Sequence, residues 1–145
     1  GIRDVERSRG LGDVYKRQVF NFELRISCPK GFEPDENLLS NNAKRVYLIN
    51  DPILAVTGTD LVVTDVWASM GQETEQKDRA RAFKNFQVTS ELMSFASKSA
   101  LFMHCLPAHR GEEVSCDVID ARDSVVWEEA ENRMHSQKAL LEFLI

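Results

Sequence analysis

Leu61-Val62-Val63-Thr64-Asp65-Val66-Trp67-Ala68-Ser69-Met70-Gly71 is an apolar strand running into a polar loop, and it decides how the rest of the chain is read. Leu61–Val66 is almost continuously apolar, as a strand buried on both faces of a parallel sheet is. Such a strand needs helices on both sides, and the flanking sequence alternates β-rich runs with polar, helix-like stretches. Upstream, a first strand is predicted at Phe22–Ser27, closed by the Cys28-Pro29-Lys30-Gly31 turn. A helix follows from Pro34-Asp35-Glu36 to about Lys44, with proline in its first turn and acids at the positive end of its dipole. Val46–Ile49 reads as a second strand and Pro52–Val56 as a short helix that stops at Thr57-Gly58-Thr59.

Downstream, Glu73–Phe86 is charged and helical, and Ser90–Ser97 is a helix with serine as its cap. Ala100–Met103 is the fourth strand and feeds His104-Cys105-Leu106-Pro107. A helical turn near Asp117–Ala121, a fifth strand at Ser124–Trp127 and a helix from about Asn132 to Leu144 complete the pattern. In that last helix Met134, Ala139, Leu140, Leu141 and Phe143 form an apolar stripe. The expected fold is α/β, a three-layer Rossmann-like domain with a mostly parallel sheet of about five strands. A ligand site in such a fold lies at the carboxyl ends of the strands, where the loops beginning at Asp65, His104 and Glu128 meet.

Composition narrows the function. The chain has 145 residues, with 18 Lys+Arg against 23 Asp+Glu and a formal charge of −5, so it offers no long-range attraction to phosphate backbones or anionic lipid. Its apolar runs are a few residues long, far short of the ~20 that a spanning helix needs. No nucleic-acid or membrane partner is expected. Three widely spaced cysteines, Cys28, Cys105 and Cys116, suit a reducing compartment, so a cytoplasmic protein is expected. Residues 1–18 hold five basic and three acidic residues without helical or strand period and match neither a targeting nor a secretory segment. They read as a non-native or disordered leader, and 19–145 as the domain, whose net charge without them is −7.

Three segments carry chemistry-bearing residues. Asp65 ends an apolar strand, an arrangement that suits an ammonium ligand or, equally, the capping of a following helix. Ser69-Met70-Gly71 lies in a loop that a glycine hinge can move. His104 and Cys105 point to opposite sides of an extended chain, so they cannot both face one ligand through their side chains. Cys105 is a nucleophile if a positive neighbour activates it, and otherwise a buried, inert thiol, the commoner state. A zinc site from Cys105, His109, Cys116 and His135 lacks paired spacing, and no metal is expected. Arg133, read at the amino end of the last helix, opposes the helix dipole there, which points to anion binding with the helix amides.

Together these segments resemble the ornithine carbamoyltransferases. Asp65-Val-Trp-Ala-Ser-Met-Gly71 is similar to that family's ornithine motif and mobile loop, His104-Cys-Leu-Pro107 to its second signature and Ala130-Glu-Asn-Arg133 to its third, in the same order. The Phe22-Glu-Leu-Arg-Ile strand and the Pro29-Lys-Gly-Phe-Glu-Pro34 turn also match. The resemblance covers about Val19 to Ile145 and implies the second of two domains. The first, with its Ser-Thr-Arg-Thr and His-Pro-x-Gln motifs, is absent from this sequence.

The resemblance implies carbamoyl transfer from carbamoyl phosphate to the δ-amine of L-ornithine, giving citrulline and phosphate in arginine biosynthesis. It implies that Asp65, Ser69 and Met70 bind ornithine, that Cys105, Leu106 and Arg133 bind carbamoyl phosphate, and that Cys105, Asp65 and Arg133 form the catalytic set. No cofactor is required. The implied partners are the two substrates, a carbamoyl-phosphate domain and, in the full-length family, a homotrimer. Half of a two-substrate site is expected to have no useful turnover by itself, since holding both substrates in line supplies much of the acceleration. The alternatives are a carbamoyltransferase for N-acetylornithine or putrescine and a non-catalytic amino-acid-binding module. The Ser69-Met70-Gly71 loop argues for free ornithine.

Overall fold

A computed structural model describes residues 21–68 and 73–145. The leader at 1–18 and the loop residues Ser69, Met70 and Gly71 lie outside them. The chain divides into two compact units, Gly1–Ala55 and Val56–Ile145.

In the first unit, β1 (Leu24–Ile26) pairs in parallel with β2 (Val46–Leu48), in the register Leu24↔Val46, Arg25↔Tyr47 and Ile26↔Leu48. Parallel strands need a long crossover, and the chain supplies it through a glycine turn and α1 (Glu36–Asn41). Gly31 takes φ +92° in that turn, a conformation that costs glycine little. The helix begins later than the sequence predicts: Pro34 stays outside, and the Asp35 carboxylate caps α1 by accepting from Asn37 N–H at 2.9 Å. It also ends earlier, at Asn42, whose side-chain amide donates back to Leu38 O at 2.9 Å. Asp51 caps α2 (Pro52–Val56) by accepting from the Ile53 and Leu54 amides at 2.8 and 3.2 Å. Cys28, Val46 and Ala55 are buried.

The second unit holds β3 (Leu61–Thr64), α3 (Glu73–Phe83) with a 3-10 turn over Lys84–Phe86, α4 (Ser90–Met93), β4 (Leu101–His104), α5 (Cys116–Ile119) and α6 (Val126–Leu144). β3 and β4 pair in parallel from Leu61↔Leu101 to Thr64↔His104. The core is Val56, Val62, Val88, Phe102, Val114, Val118, Ile119 and Val126, with Leu92, Met93, Ala96, Leu106 and Ala108 packed against it.

Several expectations are corrected here. The α/β character with parallel strands is present, but among the described residues the strands form two parallel pairs, where a sheet of about five was expected. The expected fifth strand, Ser124–Trp127, is reduced to a single parallel bridge between Ser124 and Phe102. Phe102 N–H donates to Asp123 O and Val125 N–H to Phe102 O, both at 2.9 Å. By Val126 the chain is already helical, with Glu128 and Glu129 in the first turn, where carboxylates complement the dipole. β3 is also covered on one face only: Val62 is 7% exposed, while Leu61 and Val63 are 45% and 56% exposed. Thr89, not Ser90, caps α4, its hydroxyl accepting from Leu92 N–H at 3.2 Å. The five residues expected to form a stripe on α6 do not share one face, since at about 3.6 residues per turn Phe143 stands opposite Met134, and Met134, Leu140, Leu141 and Phe143 are exposed. No helix among the described residues is long and apolar enough to cross a membrane.

The inner and outer faces of the β3–β4 pair differ in their tolerance of truncation. Phe102 is 1% exposed, so Phe102→Ala is expected to cost about 3–5 kcal/mol in urea unfolding. Leu61→Ala on the uncovered face is expected to cost less than about 1 kcal/mol.

Candidate active site

The register of β3 and β4 builds the site. Thr64 lies beside His104, so the next residues, Asp65 and Cys105, leave the carboxyl ends of adjacent strands side by side. Cys105 Sγ donates to Asp65 Oδ1 at 3.2 Å, and the same oxygen accepts from Val66 N–H at 2.7 Å. The described part of α3 begins at Glu73, eight residues beyond Asp65. Cys105 is exposed rather than buried, which removes the inert-thiol reading. One hydrogen-bond partner of the thiol is the Asp65 carboxylate. The arrangement therefore suits a hydrogen-bonding thiol better than a covalent one.

α6 supplies the other wall. Met103, Cys105, Glu129, Asn132 and Arg133 line an open cleft of about 350 Å³, which brings Cys105 and Arg133 to one space. The route by which Arg133 reaches it differs from the expectation. α6 starts at Val126, seven residues before Arg133, so this side chain stands two turns inside the helix, away from the orphan amides that an N-terminus offers. Any anion at Arg133 is held by the guanidinium rather than by helix amides.

Leu106 takes φ +51°, the left-handed region that a leucine rarely enters. The bond after it, Leu106–Pro107, is cis. Its side chain packs against the core, so whatever Leu106 offers a ligand comes from its backbone. His104 faces the opposite way from Cys105, as strand alternation requires, and is completely buried beside an equally buried Glu113. Glu113 was not legible as a site residue. It sits next to Glu112 after Gly111 and reads as one of two solvated acids. Glu129, also missed, has a buried carboxylate oxygen without a hydrogen-bond partner. No group of three or more His, Cys, Asp or Glu side chains among the described residues is arranged to hold a metal.

Electrostatics separates these groups. Burial alone pushes the Glu113 carboxyl up, but hydrogen bonds from His104 and from the His109 amide outweigh it and hold the carboxyl below the usual glutamate range. A carboxyl so depressed contributes stability at pH above its unfolded value and loses it as pH falls through the folded one. The acid limb of stability against pH is therefore expected to flatten in Glu113→Gln, as read by urea midpoints between neutral and acid pH. Burial pushes the Cys28 thiol up, with Glu33 adding to it. Iodoacetamide followed by peptide mass spectrometry is accordingly expected to modify exposed Cys105 and Cys116 well before Cys28.

Comparison with known proteins gives a consistent result. The family described as aspartate/ornithine carbamoyltransferase, Asp/Orn binding domain, matches residues 13–144. The ornithine carbamoyltransferase of Methylococcus capsulatus is 58% identical over 132 residues, covering 91% of this chain and 44% of that protein. Ornithine carbamoyltransferase 1, anabolic, of Pseudomonas savastanoi pv. phaseolicola is 55% identical, covering 87% of this chain and 41% of that one. The crystal structure of ornithine carbamoyltransferase from Burkholderia thailandensis superposes with TM-score 0.78 at 47% identity, over 90% of this chain and 41% of that one. The chain thus spans roughly two fifths of the length of the relatives it matches.

Proposed function

We propose a function from one premise: the chain belongs to the aspartate/ornithine carbamoyltransferase family, and to its Asp/Orn-binding domain. It is the ornithine-binding half of an ornithine carbamoyltransferase, which transfers the carbamoyl group of carbamoyl phosphate to the δ-amine of L-ornithine and releases L-citrulline and phosphate. The observation that carries this reading is the meeting of Asp65 and Cys105 at adjacent strand ends, 3.2 Å apart, with Cys105 on the same cleft as Arg133.

The chemistry follows from the residue types. Asp65 balances an ammonium group of ornithine. The Cys105 sulfur orients the attacking amine by hydrogen bonding and forms no covalent bond. The δ-ammonium loses a proton to water, the free amine attacks the carbamoyl carbon, and the carbon–oxygen bond breaks to expel phosphate, which takes the proton that the nitrogen then sheds. Arg133 counters the charge that builds on the carbamoyl oxygen or the leaving phosphate, an interaction worth most in the transition state. Ser69 and Met70 complete the ornithine contacts, and the Leu106 backbone oxygen contacts the carbamoyl group. A carbamoyl-phosphate domain completes the site, and the exposed Met134, Leu140 and Leu141 of α6 support docking of such a domain. Biosynthetic direction in the arginine pathway is favoured by the relative named anabolic. A cytoplasmic trimer is the assembly carried over by resemblance.

The test is citrulline formation. The 145 residues alone are expected to show no useful turnover, and addition of the carbamoyl-phosphate domain of a matched relative is expected to restore an ornithine-saturable rate. Normal turnover by the chain alone would overturn the reading, as would a restored enzyme indifferent to ornithine. Loss of a charged hydrogen-bond partner is worth about 1.5–3 kcal/mol. Asp65→Asn is therefore expected to weaken ornithine binding, read by calorimetry, by a factor of about 10 to 150.

A further inference from the structure

We propose that His104 and Glu113 are a buried pair of positioning residues that holds the Cys105–Leu106 turn in the shape the site needs. The proposal deepens the carbamoyltransferase reading, since the turn presents the groups assigned above to the substrates, but its geometry is independent of any ligand. Neither side chain is a catalytic residue: both are wholly buried and neither lines the cleft.

Two hydrogen bonds link the pair to the turn, and a third joins its members. Leu106 N–H donates to His104 Nδ1 at 2.9 Å, so Nδ1 acts as an acceptor and the imidazole proton lies on Nε2. Nε2 then donates to Glu113 Oε1 at 3.1 Å. Glu113 Oε1 also accepts from His109 N–H at 2.6 Å. The chain of bonds thus spans the turn: its start at Leu106 and its return at His109 are tied to the same carboxylate, one directly and one through the imidazole. A bond made by the side chain of residue i to the amide of residue i+2 fixes the backbone between them, which here is Cys105. It also stabilises Leu106 at φ +51°, a conformation that costs a non-glycine residue free energy unless its surroundings hold it there.

The arrangement is expensive if its only purpose is packing. Glu113 Oε2 is buried with no hydrogen-bond partner, and a buried unsatisfied oxygen is destabilising. An apolar pair of the same volume would fill this space without that loss. What an apolar pair cannot do is accept the Leu106 and His109 amides. The identity of the residues therefore follows from the backbone they hold.

The decisive measurement is residue-resolved amide hydrogen exchange by NMR on the 145-residue chain without ligand, together with the ring nitrogen shifts of His104. The wild-type ring is expected to be neutral with its proton on Nε2, and a proton on Nδ1 would sink the proposal even if every variant failed to fold. His104→Leu is expected to speed exchange at Leu106 about tenfold, the loss of one hydrogen bond. The Phe102 and Val125 amides, bonded within the core, should stay within about twofold, as expected for sites that share no partner with the lost bond. His104→Asn, whose Oδ1 can replace Nδ1 as acceptor, is expected to restore protection at Leu106. Glu113→Leu should release His109 directly and Leu106 at one remove, whereas Glu113→Gln, which keeps an acceptor, should retain both. Unchanged exchange at Leu106 in His104→Leu, or equal acceleration at Phe102 and Val125, would reduce the pair to core packing. Iodoacetamide modification of Cys105 should quicken in His104→Leu while that of Cys116 stays constant, and no change at Cys105 would disconnect the pair from the site. None of these readings uses ornithine, so they stand or fall separately from the substrate assignment.

Discussion

The parallel register between β3 and β4 is the constraint on which the site depends. Side chains alternate along a strand, so a slip of one residue would exchange every inward and outward group. With Thr64 opposite His104, Val62 and Phe102 enter the core together, and Asp65 and Cys105 leave the strand ends together. The opposite register parity would bury the thiol and expose the imidazole. The apolar contacts of Val62, Phe102, Val114 and Val126 thus stabilise the unit and at the same time select which groups meet in the cleft. Packing and chemistry are separable here only on paper.

A second layer of control sits beneath the first. Strand pairing ends at His104, and from there the backbone must turn sharply without ladder hydrogen bonds to guide it. Backbone donors that lose a ladder partner need another, and at Leu106 and His109 they find it in buried side chains. The turn is therefore held from behind, by side chains that do not line the cleft.

Much of this was legible in the sequence because it obeys local rules. The apolar run ending in Asp65 marks a strand carboxyl end, alternation separates His104 from Cys105, and glycine marks the turns at Gly31 and Gly58. What failed had a physical cause in each instance. Val125, Val126 and Trp127 are β-branched or aromatic and read as strand, yet pairing with β4 lasts one residue before two acids favour a helical first turn. That moved the start of α6 from Asn132 to Val126 and placed Arg133 inside the helix. Leu61 and Val63 were assigned to a doubly covered strand because apolar sequence records that a face is meant to be covered, not what covers it. Glu113 was unreadable for the converse reason: a carboxylate looks solvated until tertiary structure shows the imidazole and amide that it faces.

The long exposed arm of α6 has a thermodynamic consequence. From Ala130 onward every residue is exposed, so helicity there depends on backbone hydrogen bonds and on spaced pairs such as Glu131–His135 and Lys138–Glu142. Isolated helices shorter than ~12–15 residues are marginal in water, and helicity falls on warming. The arm sits near that limit, so its helix–coil balance is poised. Burying Met134, Leu140 and Leu141 against a second surface would shift that balance, and part of the association free energy would go into ordering the arm. Far-ultraviolet circular dichroism would then report a broad, weakly cooperative loss of helix in the lone chain, preceding the cooperative melting of the β3–β4 core.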